Sequence, residues 1–194
     1  MRGSGKSTWI RDYIIADAAR FFVWDPRREY TANVETVLAP ADLWDWLETV
    51  DDGEQPISVA VQPVSAAPRE LADEFGMFAD TLAAFQPPGV VIIEELVLLH
   101  RYPDAVDAFV TQSRHWSAPV VLASQRAAMI PKTSRVQADH VVSFCQRDPT
   151  DIEALVDVCG VDASIVASYT RYEWFQWSLE SDLDNKVKAG PVEK

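Results

Sequence analysis

Met1-Arg2-Gly3-Ser4-Gly5-Lys6-Ser7-Thr8 opens the chain, and from its second position onward the phosphate-loop signature G-x-x-x-x-G-K-S/T matches it. In that signature a glycine lets the backbone approach a phosphate closely. A lysine supplies charge to the β and γ phosphates, a serine or threonine hydroxyl faces Mg²⁺, and the amides at the start of the next helix point at the anion. Gly5, Lys6 and Ser7 hold those positions here, flanked by Gly3, Ser4 and Thr8. The signature's first glycine would fall just before Met1, and no apolar strand leads into the loop. Met1 is therefore expected to be an internal methionine. The natural protein would begin earlier, with an apolar strand seated between the strands that end at Asp25 or Glu95 and the strand that ends at Gln125.

Outward from this loop, short apolar runs alternate with segments of helical period, the pattern of a parallel sheet covered on both faces. Strands are expected at Phe21–Trp24, Ile57–Val61, Val90–Ile93, Val120–Ser124 and Val141–Phe144. Helices are expected at Lys6–Ala19, Ala41–Val50, Arg69–Phe85, Asp104–Trp116 and Thr150–Val158. Asp25-Pro26, Asp51-Asp52-Gly53, Pro87-Pro88-Gly89 and Cys159-Gly160 punctuate them. From Tyr172 to Leu179 aromatic and polar residues alternate, which suits an added strand or hairpin. This gives one domain over residues 1–180 and a flexible tail over 181–194.

Two further motifs follow the loop in chain order. Gly89-Val90-Val91-Ile92-Ile93-Glu94-Glu95 is an apolar strand ending in two acids. In a phosphate-loop enzyme the first acid holds the Mg²⁺ shell and the second polarises an attacking water, which casts Glu94 with Ser7 at the metal and Glu95 as the base. Glu94 stands where aspartate is usual. Val120-Val121-Leu122-Ala123-Ser124-Gln125-Arg126 is a second strand with a polar end, whose Gln125 amide is placed to meet the attacking water or the γ phosphate.

Composition narrows the function classes. The chain has 194 residues, 48% of them hydrophobic and 24% charged, close to the globular average and far from disorder. No apolar run reaches the ~18 residues of a membrane span, and the start is too polar for a signal peptide, so an intracellular protein is expected. A net charge of −13 excludes a generally basic coat but leaves room for a local basic patch in a pore. Only five residues are lysine, at positions 6, 132, 186, 188 and 194, a bias that a saline environment and a GC-rich genome would each produce. Cys145 and Cys159 have neither metal-site nor redox spacing and read as buried thiols. His100, His115 and His140 lack metal-site spacing, and the seven tryptophans read as core and interface packing.

These residues resemble the HerA-FtsK group of P-loop ATPases, in particular the genome-packaging ATPases of viruses with an internal membrane and the poxvirus-type enzymes. The resemblance rests on Gly3-Ser4-Gly5-Lys6-Ser7, on Val23-Trp24-Asp25-Pro26-Arg27-Arg28-Glu29-Tyr30, and on Ile92-Ile93-Glu94-Glu95. It continues through Ser113-Arg114-His115, Gln125-Arg126, Ile130-Pro131-Lys132 and Ala138-Asp139-His140, covering roughly residues 1–158. It implies an α/β, RecA-like P-loop NTPase whose mostly parallel sheet carries helices on both faces, its first strand missing here. It also implies ATP and Mg²⁺ as cofactors and a homo-oligomeric ring, typically a hexamer, that drives double-stranded DNA into a capsid. Capsid or membrane-vertex proteins would be partners, in the infected cytoplasm or the virion. An arginine from one subunit would reach the γ phosphate on its neighbour; the resemblance puts Arg114 there first and Arg126 second. A filamentous-phage-type assembly ATPase and a non-hydrolysing ATPase-like binding subunit are the alternatives.

Overall fold

The computed structural model describes residues 5–50, 55–116, 118–160, 163–170, 173–178 and 190–191. Five short apolar segments form its parallel sheet: β1 (Arg20–Trp24), β2 (Thr36–Leu38), β3 (Ile57–Val61), β4 (Val90–Ile93) and β5 (Val120–Leu122). They lie in the order β2-β3-β1-β4-β5. Val23 stands opposite Ala60 on one side and Ile92 on the other, and Ile92 opposite Val121. Side chains alternate between faces, so both faces of the central strand are apolar. Phe22 and Trp24 enter one core with α2 (Leu43–Val50), α3 (Pro68–Phe85) and α4 (Pro103–Ser113). Phe21 and Val23 enter the other, with Ile92, Ala123 and Ile10 of α1 (Lys6–Ile10). Edge-to-face rings run through the first core, from Trp24 to Phe75 (5.4 Å) and from Phe109 to Trp116 (5.4 Å).

Three expectations change. β4 pairs directly with β5, with Ile93 opposite Leu122, so no strand can lie between the strand ending at Glu95 and that ending at Gln125. Hydropathy orders strands along the chain but not across a sheet; it is the far edge of β5 that has no ladder partner among the described residues. The segment β6 (His140–Phe144) does not join the parallel sheet. It pairs antiparallel with β7 (Glu173–Ser178), and β7 with β8 (Gly190–Pro191), in a second sheet. Its burial runs from exposed His140 to buried Phe144, and β7 alternates aromatic and polar residues, as suits an antiparallel ribbon. The first helix turns into a π-helical turn at Arg11–Ile15 rather than running on to Ala19.

The second sheet packs on α6 (Pro149–Cys159) and α7 (Ala163–Ser168) through Ala127, Ala154, Leu155, Cys159, Val166 and Trp177. Asp148 caps α6 by accepting from the Thr150 amide, Pro149 follows it, and Gly160 closes the helix in the left-handed region. Beyond Ser178 only 190–191 belong to the described residues, so most of the stretch read as a tail lies outside them. Burial pushes the Cys159 thiol up to about 11, whereas Cys145 is only half-buried. Trp24, Trp116, Trp174 and Trp177 are buried, while Trp44 is 43% exposed and packs one face on Phe85. No described helix is long and apolar enough to cross a membrane.

Two glycines give opposite tests of this packing. Gly89, just before β4, has φ 139°, and a Cβ there would lie 2.7 Å from the Arg20 carbonyl oxygen. Gly76 sits within α3 with no atom within 4 Å of such a Cβ. Gly89→Ala should lower stability by about 1–3 kcal/mol, whereas Gly76→Ala should raise it by roughly 0.5–1 kcal/mol. Urea midpoints of the two variants check both signs.

Candidate nucleotide site

The site forms at the carboxyl ends of β1, β4 and β5, where a loop stapled by Asp25 leaves the central strand. Asp25 is fully buried. Its carboxylate accepts from the amides of Glu29 (2.8 Å) and Tyr30 (3.0 Å) and from Gln62 Nε2 (3.3 Å). Burial pushes its pKa up, and the two backbone bonds and Gln62 pull it back. Arg28 adopts φ 58° within this loop, and its amide donates to the Asp25 carbonyl at 3.2 Å. The loop thereby delivers Glu29 and Tyr30 to the same level as the acids that end β4.

Glu94 is the centre of the arrangement. It is 2% exposed, so its charge needs donors, and the first helix and the loop after β1 bring them. The Lys6 ammonium pairs with Glu94 Oε2. The Tyr30 hydroxyl, wholly buried, donates to Oε1 at 2.6 Å, and the Ser7 hydroxyl reaches the same oxygen at 3.4 Å. Ser7 donates more closely to Glu29 Oε2, at 2.6 Å. Burial and the Glu94 charge drive the Tyr30 pKa well above the usual tyrosine range, which favours the protonated, donating hydroxyl. Gly5, at φ 101°, makes the turn into α1 that places Lys6 and Ser7.

Glu95 adopts φ 54° and ψ 46°, a left-handed conformation that a glutamate holds only under constraint. The neighbouring backbone supplies it: Leu96 N donates to Ala123 O at 3.1 Å, and Leu98 N to Glu95 O at 2.8 Å. Gln125 Nε2 donates to Glu95 Oε1 at 2.7 Å. Glu95 Oε2 is buried and has no hydrogen-bond partner among the described residues. The structure thus joins Lys6, Ser7, Glu94, Glu95 and Gln125 in one connected cluster.

Other expected residues stand elsewhere. Thr8 Oγ1 accepts from Arg11 Nη2 at 3.4 Å, within the first helical segment. Arg114 is exposed at the end of α4, and its guanidinium donates to the Gln137 carbonyl at 3.1 Å rather than to a residue of the cluster. Arg126 is engaged within its own chain by Asp148 and Asp151. Gly3 and Ser4 lie outside the described residues. His100, His115 and His140 are exposed, and among the described residues no three His, Cys, Asp or Glu side chains form a ready-made metal cage. Asp25, Glu29 and Tyr30 helped carry the family resemblance but were assigned no site role in the sequence reading. Their signal was a loop of acidic and aromatic residues directly after an apolar strand, at the same end as Glu94.

No protein-family model matches the chain, and no curated protein matches it. Solved structures do. The genome packaging NTPase B204 from Sulfolobus turreted icosahedral virus 2, in complex with ATP-gammaS, superimposes with a TM-score of 0.66 at 18% identity, over 99% of this chain and 94% of that one. Its complex with AMP gives 0.67 at 17% identity, over 99% and 94%. B204, the DNA-packaging ATPase from Sulfolobus Turreted Icosahedral Virus, gives 0.63 at 18% identity, over 98% and 93%. At these identities the likeness is one of fold, and it bears out the α/β P-loop NTPase architecture expected from the sequence.

The Tyr30–Glu94 bond is testable without any ligand. Tyr30→Phe leaves the ring in place but removes a donor from a buried carboxylate, and should cost about 1–3 kcal/mol of stability in urea unfolding. An unchanged midpoint would show that Glu94 does not depend on Tyr30.

Proposed function

We propose that this chain is an ATPase of the genome-packaging type, which hydrolyses ATP between the subunits of a homo-oligomeric ring, a hexamer, and moves double-stranded DNA into a viral capsid. The observation that carries this reading is the single connected cluster of Lys6, Ser7, Glu94, Glu95 and Gln125 at the carboxyl end of a parallel sheet. The likeness over nearly the whole of both chains to B204, solved with ATP-gammaS, AMPPCP and AMP, supports it.

The residues fit the nucleotide and its ion. Lys6 is the positive group for the β and γ phosphates, and its ammonium pairs with Glu94. Mg²⁺ seldom needs an all-protein cage, since one or two carboxylates together with substrate phosphates suffice. Ser7 and Glu94 would hold it, with Glu29 on the same hydroxyl. The bound ion would neutralise charge on the phosphates. The unpartnered Oε2 of Glu95 is the acceptor for a proton from the attacking water, and Gln125 fixes the other oxygen so that the carboxylate cannot rotate away. Arg114 is assigned to the neighbouring subunit's nucleotide. Its exposure at the end of α4 leaves it open to a neighbouring subunit, as action in trans requires.

Hydrolysis measured with and without double-stranded DNA tests the reading, and stimulated turnover is the expected result. Lys6→Ala should abolish nucleotide binding. Glu95→Gln should keep binding but lose roughly 10²–10⁴ in turnover, trapping ATP. Arg114→Ala should lose on the order of 10³, and mixing it with Lys6→Ala subunits should restore part of the activity. Wild-type turnover by Glu95→Gln would remove Glu95 as the base, and a chain that binds ATP without ever hydrolysing it would remove the enzyme reading.

A further inference from the structure

We propose that Asp151 and Arg126 form a clamp that positions Gln125 on Glu95, and so make the hydrolytic amide depend on the seat of helix α6. The inference rests on the ATPase reading above. Between Gln125 and Ala127 the chain crosses from one core to the other. Gln125 follows β5 and meets Glu95 at 2.7 Å, while Ala127 is buried in the second core against α6 and β7. Arg126 stands at the crossing. Its Nε donates to Asp151 Oδ2 at 2.8 Å, and its Nη2 pairs with Asp148 Oδ2 at 2.7 Å and reaches Thr150 Oγ1 at 3.3 Å. The Ala128 amide donates to the other Asp151 oxygen at 2.9 Å. Ser124 closes the near side, accepting from Arg126 N at 3.1 Å and donating to Arg126 O at 2.8 Å.

Two features turn these contacts into a positioning device. Asp151 is 2% exposed, and both its oxygens are taken by the segment just after Gln125. If Arg126 swung away, a buried carboxylate would be left without its counter-charge, a state that is strongly disfavoured. β5 is three residues long and is paired only on the β4 side among the described residues. A strand end held by one ladder leaves a glutamine free to wander sideways, and the clamp supplies the restraint that a second ladder would give. A merely structural ion pair would stabilise α6 without affecting turnover. Here the pair is one residue from the amide that orients the base.

A double-mutant cycle on the full chain distinguishes these. Asp151→Asn keeps the shape and an acceptor for Ala128 but loses the charge. It should lower kcat about tenfold or more, as small misplacements of a catalytic group do, while leaving KM for ATP unchanged. In a Gln125→Ala background the same change should cost nothing further, because the amide it positions is gone. Arg126→Gln, at a side chain 38% exposed, should give the same kcat loss and the same non-additivity even if Asp151→Asn proves unstable in thermal melts. Losses that multiply with Gln125→Ala, or an effect on KM alone, would overturn the clamp while leaving the ATPase reading intact. A wild-type chain without ATP turnover would overturn both.

Discussion

A glutamate carboxylate with almost no exposure directly follows strand β4, and the surrounding architecture is arranged to satisfy its charge. Burying an unpaired carboxylate is among the most unfavourable events in folding. Glu94 is tolerated because donors arrive from two separate parts of the chain: Lys6 and Ser7 from the first helix, and Tyr30 from the loop after β1. That convergence is possible only because β1 and β4 are neighbours in one parallel sheet, so their carboxyl ends open at the same level. It also gives the lysine two possible partners. The lysine pairs with Glu94, and a nucleotide's phosphates would have to win it over, leaving Glu94 to an ion.

Strain and restraint are concentrated one residue later. Glu95 holds a left-handed backbone, and this persists because its neighbours are bonded to β5 and to its own short turn. One of its oxygens is fixed by Gln125 and the other is buried without a partner. Gln125 in turn lies between a serine-closed turn and an arginine tied to α6. A line of contacts therefore runs from the acids at the sheet's end to the second core, through residues that each have a satisfied alternative only in this arrangement.

Much of this was legible in the sequence, for reasons that differ by element. Ile57–Val61 and Val90–Ile93 read correctly because buried parallel strands are continuous apolar runs between breakers. Thr36–Leu38 was missed, since three residues with an exposed Val37 in the middle make no run. The spatial order of strands left no trace in hydropathy, which is why a strand was expected between two that pair directly, β4 and β5. The acids and Gln125 were recognisable because they follow apolar strands, and Lys6 because it sits in the phosphate-loop signature. Tyr30 and Asp25 were not, since their importance comes from a loop that folds back, and folding back is a tertiary property. The partners of Arg126 were equally hidden, with Asp148 and Asp151 more than twenty positions away in sequence.

The central claim is that Glu94 and a nucleotide compete for Lys6, and it is tested most directly by calorimetric titration of ATP without Mg²⁺ into the wild-type chain and into Glu94→Gln. Without the ion, Glu94 can only repel the phosphates and hold the lysine. The variant should therefore bind metal-free ATP at least about tenfold more tightly, a gain of ~1.4 kcal/mol. Equal or weaker binding by Glu94→Gln would contradict it.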